Sequence, residues 1–145
     1  MRIEAFLEHS PMFALSRAGR RAEALALRVF AADSLNLLEG LVLAALFLEA
    51  PAAVKPSSLA VTFRTSRSNI SHCLSLLEAR ALIQRRIDPD DARAYAILLR
   101  PAGKRSALRV IASFDELQRR YETAAGKGAL RAALDLIAKL DALSE

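Results

Sequence analysis

These 145 residues include one cysteine, two histidines, no tryptophan, and only five glycines and five prolines. A lone Cys73 excludes an intramolecular disulfide, and His9 and His72 lie too far apart in sequence to give a zinc-ligand spacing. No metal, no other cofactor and a reducing, cytoplasmic compartment are therefore expected. The scarcity of glycine and proline disfavours a sandwich or barrel of many short strands. Long apolar runs are missing too. The most hydrophobic stretch, Leu41 to Leu48, is bounded by Glu39, Glu49 and Pro51 and is far shorter than the roughly 20 residues a membrane span needs. The first residues offer Arg2, Glu4 and Glu8 in place of a signal-type apolar segment, so no membrane association is expected. No glycine-rich phosphate loop occurs, and no G-x-S-x-G elbow surrounds any serine. No catalytic residue is assigned, and an enzyme is not expected.

The chain is rich in alanine and leucine, and at 53% hydrophobic it is too apolar for disorder. A single domain over 1–145 is expected, mainly α. Lysine plus arginine number 21 against 16 acids, a net charge of +5, and such a surface attracts polyanions.

Ser10-Pro11 reads as N-cap and first helical residue of a helix to about Ala32. Asp33-Ser34 can cap a second helix, Leu35 to about Ala50, apolar nearly all round and hence central. After Pro51, Pro56-Ser57-Ser58 starts a short helix, and Ser66 can cap another from Arg67 to about Arg80. On that last helix Ile70, Cys73, Leu74 and Leu77 share one face, with Ser68, Ser71, His72 and Ser75 towards the other. Two β-rich stretches, Leu82 to Ile87 and Tyr95 to Leu99, flank the turn Asp88-Pro89-Asp90-Asp91-Ala92-Arg93 and predict a hairpin. Pro101 opens a long helical pattern that Gly126 and Gly128 break before a last amphipathic helix to about Leu143.

A short helix, a turn, a helix with a small polar outer face and a charged hairpin form a winged helix-turn-helix, an architecture that reads duplex DNA. Serine hydroxyls can bond either kind of base edge, asparagine pairs with adenine, and arginine favours guanine or phosphate. Ser68, Asn69, Ser71, His72 and Ser75 are thus candidate base contacts, and Arg67 a base or phosphate contact. From Lys55 to Ile87, Lys55, Arg64, Arg67, Arg80, Arg85 and Arg86 face a single acid, Glu78, so this stretch alone carries the chain's net +5. Phosphate neutralisation requires such localisation. Cys73 reads either as a redox sensor or, among Ile70, Leu74 and Leu77, as a small core hydrophobe, and the core role is expected. Asp88, Asp90 and Asp91 are explained by a turn closed by Arg93 without a metal.

The segment Leu59 to Gly103, LAVTFRTSRSNISHCLSLLEARALIQRRIDPDDARAYAILLRPAG, resembles the DNA-binding core of the MarR family of bacterial transcription regulators. The similarity lies in Leu59-Ala60, the serine-rich start of the recognition helix, Leu77-Glu78, Leu82-Ile83, Arg85-Arg86, the Asp88-Pro89-Asp90-Asp91 to Arg93 wing tip, and Gly103. The resemblance implies a winged core over 35–100 and a helical dimerisation region over 1–34 and 101–145. It also implies a homodimer on a pseudo-palindromic double-stranded operator, with half-sites roughly 34–36 Å apart. Arg85, Arg86 and Arg93 would then contact backbone or minor groove. The family usually has glycine where this chain has Arg64 and Ala81, so those backbones are expected to differ. Ala92 replaces one of two wing arginines. A small aromatic or lipophilic anion is an implied ligand; Phe13, Phe30, Phe47, Tyr121, Arg17 and Arg21 are candidates, each more simply read as a core or solvated-face residue, and no ligand site is assigned. The implied function is a ligand-modulated, sequence-specific repressor. The alternative is a winged-helix protein-interaction module without specific duplex binding, favoured by Ala92, the acidic wing tip and the apolar Leu76.

Overall fold

The computed structural model describes residues 2–88 and 91–142; the side chains at 88, 91–94 and 141 are outside that description. Helices α1 (Ile3–His9) and α2 (Pro11–Phe30) precede a 3-10 turn, Ala31–Asp33. Then come α3 (Leu37–Leu48), α4 (Pro56–Thr62), α5 (Arg67–Ala79), the strands β1 (Ile83–Asp88) and β2 (Asp91–Leu99), α6 (Pro101–Ala125) and α7 (Lys127–Ala142). The chain divides into two compact units, Met1–Val110 and Ile111–Glu145. No single described helix is long and apolar enough to cross a membrane.

The core of the first unit is what the apolar patterning requires. Leu43, Leu59, Ile70, Leu74, Leu77, Ile83 and Ile97 are essentially inaccessible, and each contributes roughly 1.5–3 kcal/mol by leaving water. They come from α3, α4, α5 and both strands, so α3 is the central helix. Strands β1 and β2 pair antiparallel from Ile83 opposite Leu99 to Ile87 opposite Tyr95, and a bridge from Ile97 to Val54 ties the hairpin to the segment before α4.

Helix starts follow capping chemistry, with two corrections. Ser10 precedes Pro11 as expected, but its hydroxyl accepts no bond from the helix. The cap of α3 is Asn36 in place of Asp33 or Ser34: its side chain accepts from the Glu39 amide at 2.9 Å, and the Glu39 carboxylate accepts from the Asn36 amide at 2.8 Å. Asp33 is engaged elsewhere, by Arg109 and Ser106, and Ser34 sits in the left-handed region at φ 51°. Ser66 caps α5 as expected, accepting from the Asn69 amide at 3.1 Å. Helix α1 is absent from the sequence reading, because its seven residues bury none of their apolar side chains and give no core signal.

The backbones at Arg64 and Ala81 are left-handed, at φ 45° and 55°, so the expected departure at those two positions does not occur. The cause is a hydrogen-bond pattern that recurs three times. The Arg64 and Thr65 amides donate to Val61 and Ala60, those of Ala81 and Leu82 to Glu78 and Leu77, and those of Ser34 and Leu35 to Ala31 and Phe30. Each is a Schellman closure whose pivotal residue must be left-handed. Burial of the residue that follows Ala81, Leu82, outweighs the roughly 1–2 kcal/mol that a side chain costs there. Ala81→Gly is accordingly expected to stabilise the protein by about 1 kcal/mol, read as a higher urea midpoint at unchanged slope; a lower midpoint would refute this account of the turn.

In the second unit, the end of α6 and α7 meet at Gly126, whose φ of +83° suits glycine. Leu134, Leu136 and Ile137 of α7 remain exposed, as do Ile3, Phe6, Met12, Phe13 and Leu15 of α1 and α2 in the first unit.

Candidate nucleic-acid interface

Helix α5 buries Ile70, Cys73, Leu74 and Leu77 and exposes Arg67, Ser68, Asn69, Ser71, His72 and Ser75. A helix pinned through four buried positions holds its opposite face fixed, as a docking surface requires. The exposed groups are not equally available. The Ser75 hydroxyl donates to the Ser71 carbonyl at 2.9 Å and accepts from Arg85 Nη2 at 2.9 Å, so its proton is already committed. Asn69 donates from Nδ2 to the Thr65 hydroxyl at 3.1 Å. The amide oxygen keeps its acceptor capacity, while one of its donors is used.

The two wing-strand arginines differ. Arg86 is exposed, whereas Arg85 is half-buried and folds back on α5. Its backbone amide donates to Glu78 Oε1 at 3.1 Å, and its Nε lies 3.4 Å from Glu78 Oε2. Glu78, the one acid of the basic stretch, therefore joins the wing to the recognition helix. Residues Pro89 and Asp90 and the side chain of Arg93 lie outside the described residues, and so does the reading of Arg93 as a wing contact.

Cys73 is buried, and burial with the nearby Glu39 carboxylate pushes its thiol up to about 12. The reactive thiolate is therefore strongly disfavoured near neutral pH, which favours the core role over a sensor. Native protein is expected to resist a thiol reagent such as dithionitrobenzoate until denatured, when one thiol per chain should react; stoichiometric labelling of the native state within minutes would refute this.

A cavity of about 550 Å³ opens between α3, the hairpin and the start of α6, lined by Leu46, Phe47, Ala50, Gln84, Ile97 and Leu99 with Lys104. Lys104 is the only charged lining residue described. Of the other ligand candidates, Phe30 is core, packed beside Gly40, and Phe13 stacks edge-on against Phe6 at 5.3 Å. Arg17 and Arg21 are exposed, and Tyr121 lines a smaller groove in the second unit. Only the fold brings Lys104 to the same cavity as Phe47, so the sequence alone does not mark it.

Helix, turn, helix and hairpin packed on α3, with further helices at either end of the chain, define a winged helix-turn-helix protein. The chain has the winged-helix fold of the MarR family of transcription regulators. It is similar to the transcriptional repressor CouR bound to a 23-mer DNA duplex, at 25% identity and TM-score 0.83, over 93% of this chain and 94% of that one. It is also similar to CouR from Rhodococcus jostii RHA1 bound to p-coumaroyl-CoA, at 23% identity and TM-score 0.81, over 92% and 93% of the two chains. A MarR-family regulator from Rhodococcus sp. RHA1 aligns at 22% identity and TM-score 0.78, over 97% and 96%. No family model and no curated protein matches the sequence.

Proposed function

We propose that the chain is a non-enzymatic, sequence-specific duplex-DNA-binding repressor that acts as a homodimer and whose operator affinity a small ligand modulates. The observation that carries the reading is the recognition helix itself: a buried apolar stripe and an exposed row of short hydrogen-bonding groups, set in the basic stretch of the sequence, on a fold shared with a DNA-bound repressor. Arg67, Ser68, Asn69, Ser71 and His72 would read the major groove, with Ser75 limited to its remaining acceptor lone pair. Arg86 and Arg93 would contact phosphate or minor groove, and Arg85 would hold the wing in register with α5.

The exposed apolar side chains of α1, α2 and α7 support a homodimer, since scattered leucines need no partner but a helix such as α1, none of whose residues is buried, does. The apolar cavity with one lysine at its wall supports a small aromatic or lipophilic anion as the ligand; CouR, solved with p-coumaroyl-CoA, is similar in fold.

The test is selection of bound sequences from a random duplex pool, followed by titration of the winner at several salt concentrations. A pseudo-palindrome bound with a steep salt slope, and weakened by His72→Ala, is the expected result. Weak, sequence-blind binding lost near physiological salt would transfer the assignment to a protein-interaction module, for which Leu76, 38% exposed on α5, offers an apolar contact.

A further inference from the structure

Arg80 belongs by sequence to the basic stretch that faces DNA, yet its donors point inward. Nη1 donates to the Ser34 carbonyl at 3.0 Å, Nη2 donates to the Asp33 carbonyl, and Nη1 lies 3.8 Å from the Glu39 carboxylate, which is only 6% exposed. These are end-of-helix carbonyls of the 3-10 turn, which have no partner within it. The side chain of the same Asp33 is held from another direction: Arg109 on α6 donates through Nε at 2.9 Å and through Nη2, and the buried Ser106 hydroxyl donates at 3.2 Å. The Arg109 guanidinium keeps the Asp33 carboxyl below the usual carboxylate range, as a formed, charge-assisted pair should.

We propose that Arg80 is a positioning residue for DNA recognition, latching the C-terminal end of α5 to the Ala31–Asn36 corner that Arg109 pins to α6. The proposal rests on the DNA-binding reading above. Helix α5 has 13 residues and so is about 20 Å long. With the buried quartet as pivot, a tilt of about 5° moves Arg67, roughly 9 Å along the axis from Cys73, by almost 1 Å, whereas base-edge hydrogen bonds tolerate only a few tenths of an ångström. Non-specific phosphate contacts through flexible arginines survive such a shift, so the latch governs discrimination more than attraction. A guanidinium presents two donors at a fixed fork spacing to the two successive carbonyls, whereas an ammonium on a shorter, flexible stem keeps the charge but not that rigid geometry.

Arg80→Lys tests this with net charge unchanged. Binding to the duplex selected above is expected to fall about tenfold, while binding to a scrambled duplex of equal length stays within twofold and the salt slope is unaltered. Amide hydrogen exchange, measured without DNA, should rise over residues 76–80 and 31–36 in both Arg80→Lys and Arg80→Met, at temperatures where circular dichroism reports each variant folded. Wild-type affinity for the selected duplex, or an equal loss for both duplexes, overturns the proposal; the second pattern would make Arg80 a phosphate contact. Should the wild type itself fail to discriminate, the DNA-binding reading falls, and unchanged exchange in the variants would overturn the latch separately.

Discussion

Replacing Gly103 by alanine is expected to cost at least about 3 kcal/mol, at the upper end of what overpacking a core does. A Cβ built there stands 2.0 Å from the Leu82 carbonyl oxygen and 2.9 Å from its carbon, with Leu99 Cδ2 at 3.1 Å. The side chain of Leu99 has rotamers to retreat into; the Leu82 backbone does not. Its amide closes the Schellman motif at the end of α5 on Leu77, and its carbonyl accepts from the Arg100 amide at 2.9 Å. Relief of the clash must therefore lift the first turn of α6 away or drag the end of the recognition helix and the start of β1 with it. The change should appear as a large drop in the denaturation midpoint, measured at fixed protein concentration because the stability of the proposed homodimer would depend on it. An unchanged midpoint would mean that the approach of α6 to Leu82 is looser than described.

Gly103 also shows what kind of information a sequence carries. It is one of five glycines, and its position after the second β-rich stretch marks it only through resemblance; that its Cα must lie against a carbonyl follows from packing alone. The recognition helix, by contrast, was legible residue by residue. Its cap at Ser66 and its buried quartet follow from local hydrogen bonding and a 3.6-residue period, which need no knowledge of the rest of the chain. The start of α3 differs from the expected one because Asp33, Ser34 and Asn36 are all good caps, and Arg109, 76 residues away, engages Asp33. The turns at Arg64 and Ala81 depart from expectation for a related reason. Propensity argues against left-handed arginine and alanine, but burial of the adjoining elements wins. The reading face, too, was legible as a set of types and not as a set of free groups: only the fold brings Arg85 onto Ser75 and Glu78 and turns Arg80 inward.

Arg67→Glu should separate folding from recognition in opposite directions. The first turn of α5 contains no acidic residue and opens with Arg67, against the preference of a helix N-terminus, whose partial positive charge favours carboxylates by about 0.3–1 kcal/mol. Arg67 is exposed. A glutamate there would relieve the unfavourable placement and leave the Ser66 cap intact, so the variant should unfold at slightly higher denaturant than wild type. Its affinity for duplex DNA should nevertheless fall about 100-fold at moderate salt, because one cationic contact of roughly 1–3 kcal/mol is lost and a carboxylate is turned towards phosphates. The salt slope should drop by about one unit with the lost counterion. Equal affinity in a folded variant would remove α5 from the DNA interface, while loss of stability together with affinity would show that Arg67 serves the fold. Gain in one quantity with loss in the other is the signature of a residue placed at cost to its helix for the sake of a polyanionic partner.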